Sequence, residues 1–310
     1  MLYYRHMKNT IIVLIALLIL VLISFGIYFW IQQSVPSVDM PSTDTSMMKE
    51  GNESDKTPGL EEKKEETVIG KSFGGHDIVA YHYGTGDTEI LLVGGIHGGY
   101  EWNTTLVAYE AMDYLKSNPD VIPENVMVTV IPVLNPDGLL KVVDTVDRFT
   151  KADVSTSQTV QVAGRFNGND VDLNRNFDCD WQAKGTWQNK AVSGGSKAFS
   201  EPESQAIKNY VDTHTLSAVV VWYSAAGGVF ASNCHNGILA ETSTLTNLFA
   251  KASGYPAYED FDFYEVTGDM VNWLAKEKIP AMSVLLTNHT STEWTKNQAG
   301  IDALLKHYTK

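Results

Sequence analysis

The chain reads as an α/β protein, a mixed sheet flanked by helices on both faces. Three observations predict this. Apolar runs of strand length recur at 89–96, 125–134, 217–223 and 281–286. Helical periodicity fills the intervals between them. No repeat of 20–50 residues points to a solenoid. The run following Glu101, TLVAYEAMDYLKSNP, has helical spacing and stops before Pro119. The segment 200–214 opens with Ser200 and has Glu203 three residues on, the signature of a capping box. Further helices are expected at 241–252, 268–277 and 296–308. NPDG at 135–138 reads as a turn after a strand, with Asn135 and Asp137 as scaffold.

Composition narrows the function. With 310 residues, 44% of them hydrophobic, the chain can bury one large core or two small ones, and one domain is the default. A formal net charge of −14 argues against nucleic acid as a partner, because phosphate binding draws its affinity from clustered Lys and Arg.

Organisation follows from three changes in composition. Residues 11–31, IIVLIALLILVLISFGIYFWI, are uncharged and long enough to cross a bilayer as a helix. Arg5 and Lys8 precede this run and the next basic residue is Lys49, so the first ten residues are expected in the cytoplasm and the main domain outside it. A cleavable signal peptide would export the same domain. Residues 32–66, rich in Ser, Thr, Pro and charge, read as a flexible tether between this single-pass anchor and a domain at 67–310. Cys179 and Cys234, the two cysteines, can form one disulfide in an oxidising compartment or stand as two buried thiols.

In α/β sheets, ligands gather at the C-terminal ends of strands. His97, Asn135, Tyr223 and Leu285 all fall there. The stretch 144–199 has little periodicity, and long connections of this kind commonly carry function. It holds Arg165, Asn174 and Arg175. His97 and Glu101, close together at a strand-to-helix turn, are of the types that bind zinc.

Five motifs in order, HGGYE, NPDG, DLNRNF, SEPE and YEVTGDMVNW, make residues 67–310 resemble the M14 zinc metallocarboxypeptidase family. The resemblance implies zinc on His97 and Glu101, and a substrate carboxylate held by Asn174 and Arg175. It implies that Arg165 stabilises the oxyanion and that Tyr264 closes over the bound peptide. The substrate class it implies is the C-terminus of a peptide or of a cell-wall stem peptide.

The pattern departs from the family at three points. His97 and Glu101 are spaced one residue wider than the family's H-x-x-E. The family's third zinc ligand, a His, is Tyr223 here, and its catalytic Glu is Leu285. Leucine cannot exchange a proton and a neutral phenol is a poor substitute for imidazole, so the resemblance implies impaired catalysis. His289, Glu293 and His235 stand near these strand ends and are candidates to compensate.

Overall fold

The computed structural model describes residues 65–309. The expected anchor at 11–31 and most of the expected tether lie outside the described residues. Among those described, no helix is long and apolar enough to cross a membrane. The first strand begins at Glu66, one residue inside the stretch read as tether.

Eight strands form one mixed sheet in the order β1-β2-β4-β3-β7-β10-β8-β9. They are β1 (Glu66–Lys71), β2 (Asp77–Tyr83), β3 (Thr88–Val93), β4 (Val126–Ile131), β7 (Leu216–Ser224), β8 (Gly228–Ala231), β9 (Ala257–Tyr258) and β10 (Ala281–Leu286). The central four, β4-β3-β7-β10, run parallel, and antiparallel partners flank them. A separate hairpin joins β5 (Lys184–Trp187) to β6 (Lys190–Ser193).

The central strands are covered on both faces, which is why they appear in the sequence as unbroken apolar runs. Along β7, Ala218, Val220 and Trp222 enter one core, and Val219, Val221 and Tyr223 enter the other. The first core is closed by α1 (Trp102–Ser117), α2 (Pro136–Val143), α5 (Ala240–Ser253) and α7 (Trp294–His307). The second is closed by α4 (Pro202–Thr213), α6 (Met270–Lys276) and part of the long connection before α4, through Leu173, Phe177 and Cys179. Helix α3 (Gln158–Ala163) lies within that connection. Tyr223 and Leu285 are directly paired across the parallel β7/β10 ladder, so both point into the second layer.

Two local readings are corrected. Ser200 is not a helix cap: α4 begins at Pro202 behind Glu201, with no side-chain cap bond. Glu203 instead accepts from the Phe73 backbone and from Asn167, because its buried carboxylate needs donors that the helix end does not offer. NPDG is more than a turn. Asn135 Oδ1 accepts from Gly138 N and starts α2, while Asp137 takes bonds from Ser72 and Gly74, a scaffold role for both.

Candidate active site

A cavity of about 910 Å³ opens where β3, β7 and β10 end. His97, Glu101, Arg165, Asn174, Arg175, Tyr223, Tyr264, Leu285 and His289 all line it. The connections that bring them together span most of the domain.

The turn after β3 absorbs the wide spacing of His97 and Glu101. A 3₁₀ turn over Gly98–Glu101 closes it, leaving His97 Nδ1 3.0 Å from Glu101 Oε1. Gly98 adopts φ +44°, and a Cβ there would stand 2.7 Å from the Gly164 carbonyl, so both conformation and packing require glycine. Asp172 Oδ1 lies 3.4 Å from His97 Nε2. Neither ring nitrogen of His97, and neither Oε2 of Glu101, completes a hydrogen bond within the fold. Two buried side chains of the zinc-binding types therefore converge, with Asp172 beside them.

Two donors are one fewer than catalytic zinc sites ordinarily take from the protein. Tyr223 lines the cavity beside them. Burial, then the charges of Asp269 and Glu101, holds its hydroxyl protonated well above the usual phenol range. That hydroxyl donates to Asn174 Oδ1 at 3.1 Å. Among the described residues, the only three His, Cys, Asp or Glu side chains whose ligand atoms lie within 4.8 Å of one another are Cys179, Cys234 and His235. Two of these form a disulfide. The residues present accommodate part of a zinc site and do not complete the family's ligand set.

Two buried arginines, Arg165 and Arg175, line the same cavity. Nε and Nη2 of Arg165 bond Asp172 Oδ2 at 2.9 and 2.8 Å, and its guanidinium lies 4.5 Å from the Trp187 ring. Burial alone would raise the Asp172 carboxyl, but Arg165, then His97 and Arg175, hold it well below the usual carboxylate range. Arg175 is held by Thr186 O through Nε and Nη2, and by Asn174 O through Nη1. Asn174 Oδ1 accepts from both Tyr223 and Met270 N, so the amide's NH₂ is the end left for a ligand. Tyr264 stands beside them, with Arg175 6.0 Å from its ring centre.

Asp172 was not singled out from the sequence, although DLNRNF contains it. A carboxylate two residues before the Asn-Arg pair is the available signal, since a buried Arg needs an acid. The hairpin that carries Trp187 and Thr186 was also missed. Its two-residue turn is Gln188-Asn189 rather than the Asn-Gly type that announces a hairpin.

The three candidate compensators separate. His289 lines the cavity beside Tyr100, with ring centres 4.8 Å apart. Its Nδ1 has no hydrogen-bond partner, and burial pushes its pKa down. Glu293 is occupied by Thr287, Tyr255 and Lys296, which hold the loop before α7. His235 is 72% exposed and pairs with Asp180 at 2.7 Å. Neither Glu293 nor His235 lines the cavity.

A sheet of this topology, with a His-Glu pair at one strand end and buried arginines beside it, defines a metallocarboxypeptidase-like domain. The sequence profile of the zinc carboxypeptidase family matches residues 61–291, and the chain belongs to that family. A zinc carboxypeptidase of Simulium vittatum is 31% identical over 160 residues, 49% of this chain and 50% of that protein. The chain thus spans about half the length of that relative. Bovine thrombin-activatable fibrinolysis inhibitor superposes with a TM-score of 0.62 at 16% identity, covering 78% of this chain and 89% of that one. The murein-tripeptide amidase of Escherichia coli O157 gives 0.55 at 18%, covering 79% and 92%. At these identities the two structures establish the fold.

Proposed function

We propose that this domain binds the C-terminal residue of peptides, holding the carboxylate on Asn174 and Arg175, with the peptidase chemistry of its family impaired. One observation carries the reading: the Tyr223 hydroxyl, at the position of the family's third ligand, is engaged with Asn174 of the clamp. Leu285, paired beside it, presents hydrocarbon where hydrolysis needs a base. Arg165 and Arg175 both line the same cavity. A structural neighbour named as a murein-tripeptide amidase makes a cell-wall stem peptide one substrate class to test. Zinc, implied by the family, would rest on His97 and Glu101 and be held weakly.

Calorimetry with a peptide bearing a free C-terminus and its amidated counterpart tests the clamp. The free form should bind, the amidated form should be much weaker, and Arg175→Ala should cost the free form about 2–5 kcal/mol. Equal affinity for the two peptides would remove the reading.

An active peptidase is the second reading, favoured by His289, which lines the same cavity and whose buried Nδ1 has no hydrogen-bond partner. One zinc per chain together with release of C-terminal residues, followed by mass spectrometry, would select it.

We also infer an extracytoplasmic location, tethered through residues 11–31. The apolar run and the Cys179–Cys234 disulfide support it, since such bonds persist in oxidising compartments. Protease added to intact cells should release the domain by cutting between residues 32 and 64, and full protection would overturn this topology.

A further inference from the structure

His235 does not line the cavity, and its neighbours give it a chemistry of its own. Ligand atoms of Cys179, Cys234 and His235 all lie within 4.8 Å of one another. Each cysteine is 5% exposed, whereas the His235 side chain is largely in solvent, so a buried sulfur pair meets an accessible imidazole. His235 Nε2 pairs with Asp180 Oδ1 at 2.7 Å, and Asp180 directly follows Cys179. Asp180 and His235 both hold a left-handed backbone, φ +53° and +58°, a conformation uncommon for residues other than glycine.

The main chain around the sulfurs is held by bonds other than the crosslink. Gly268 N donates to Cys179 O at 2.6 Å. Beside Cys234, Asn233 N donates to Asn272 Oδ1 at 2.9 Å, and both cysteines pack in the second core. Opening the S–S bond therefore leaves the two sulfurs close, on Cα atoms that stand 6.2 Å apart in the crosslinked form. Zinc, at about 2.3 Å from sulfur and about 2.0 Å from nitrogen, sets tetrahedral ligands about 3.5–3.8 Å apart. Side-chain rotation suffices to reach that spacing. Two thiolates balance the charge of a divalent cation, and a carboxylate bonded to a ligating imidazole is the usual group that orients it.

We propose that Cys179, Cys234 and His235 form a reduction-dependent site for a thiophilic divalent cation such as zinc, with Asp180 positioning His235. In the opening step a dithiol supplies two electrons and two protons. The S–S bond breaks, both sulfurs become thiols, and the dithiol closes to its own disulfide. Metal binding then forms two sulfur–metal bonds and releases both thiol protons to water. The chain between residues 179 and 234 stays closed in either form, by sulfur when oxidised and by metal when reduced. This site depends neither on the carboxylate clamp nor on the His97–Glu101 pair.

The experiment compares the oxidised protein with protein reduced by a water-soluble phosphine, which becomes its oxide and adds no competing thiol. Zinc is counted by elemental analysis after gel filtration. Cobalt(II), whose bonds to thiolate absorb in the near ultraviolet, reports sulfur ligation. The reduced protein should hold one zinc per chain more than the oxidised protein and show thiolate–cobalt absorption that the oxidised protein lacks. Added zinc should recover at least about half of the drop in denaturant midpoint that reduction causes. His235→Ala keeps both cysteines, so its oxidised form should unfold with the unmodified midpoint. Its reduced form should bind cobalt at least about tenfold more weakly, and Asp180→Asn should cost about tenfold. No additional metal on reduction would overturn the site. Cobalt affinity unchanged in His235→Ala would show that the thiols bind alone, and would overturn the three-residue assignment. Equal cobalt affinity in native buffer and in concentrated urea would show that the fold does not present the ligands, and would overturn it whatever the stability of the reduced chain.

Discussion

The Tyr223 hydroxyl donates to Asn174 Oδ1 across 3.1 Å, joining the end of β7 to the Asn174–Arg175 pair. Met270 N donates to the same oxygen, so the amide cannot rotate without breaking two bonds. At the position where the resemblance implies a metal ligand, this chain has a residue that orients the Asn174 amide. Tyr223→Phe removes one of the two bonds and keeps the ring. Affinity for free-carboxylate peptides should fall by about 0.5–1.5 kcal/mol, or roughly two- to tenfold, with the melting temperature little changed. Calorimetry on both proteins checks it, and unchanged affinity would show that Asn174 does not depend on Tyr223.

Tyr223→His combined with Leu285→Glu should create or greatly raise zinc-dependent carboxypeptidase activity. The pair supplies an imidazole and a carboxylate base at directly paired positions of β7 and β10, beside the proposed oxyanion and carboxylate contacts of Arg165, Asn174 and Arg175. Each change alone should do little, so the effects should be strongly non-additive. Zinc affinity, measured separately by metal competition, should rise in every protein that carries Tyr223→His. Release of C-terminal residues from a peptide library by all four proteins is the assay. Activity in the unmodified protein equal to that of the double variant would mean that another group, with His289 the first to test, already completes the site.

The Cys179–Cys234 disulfide closes a loop with a sequence separation of 55. That loop contains the β5–β6 hairpin, α4 and β7, and so includes Thr186, Trp187 and Tyr223 of the site. The chain-entropy model assigns such a crosslink about 4 kcal/mol. Cys179→Ser with Cys234→Ser should lower the unfolding free energy by that order, and reduction of the unmodified protein should have the same effect. Denaturant unfolding with and without reductant tests this, and coincident midpoints would refute it.

Glu293 holds the loop that carries His289. Burial would raise its carboxyl, but hydrogen bonds from Thr287 N and Oγ1, Tyr255 and Lys296 outweigh burial and lower it. A carboxyl whose folded pKa lies below its unfolded value of about 4.3 contributes stability that is present above that pH. The contribution is lost as pH falls through the folded value. Glu293→Gln should therefore be less stable at pH 7 and lose less stability than the unmodified protein as pH drops from about 5 to 3. Parallel pH profiles of the unfolding midpoint would contradict the assignment.

The sequence by itself determined the alternating architecture, the four central strands, most of the long helices and the family, because these depend on patterns that repeat along the chain. Apolar runs become strands buried on two faces whatever their neighbours, and HGGYE and DLNRNF name their residues directly. Tertiary structure decided what those patterns leave open. Whether the wide His97–Glu101 spacing could converge depended on a turn packed against Gly164 and Gly138. Whether Cys179 meets Cys234 depended on the loop after Phe177 reaching the end of β8. His289, Glu293 and His235 were equivalent as letters, and burial and partners alone separated them. Periodicity is a local property, whereas a site is made of residues far apart in the chain, held by hydrogen bonds and contacts that no local pattern encodes.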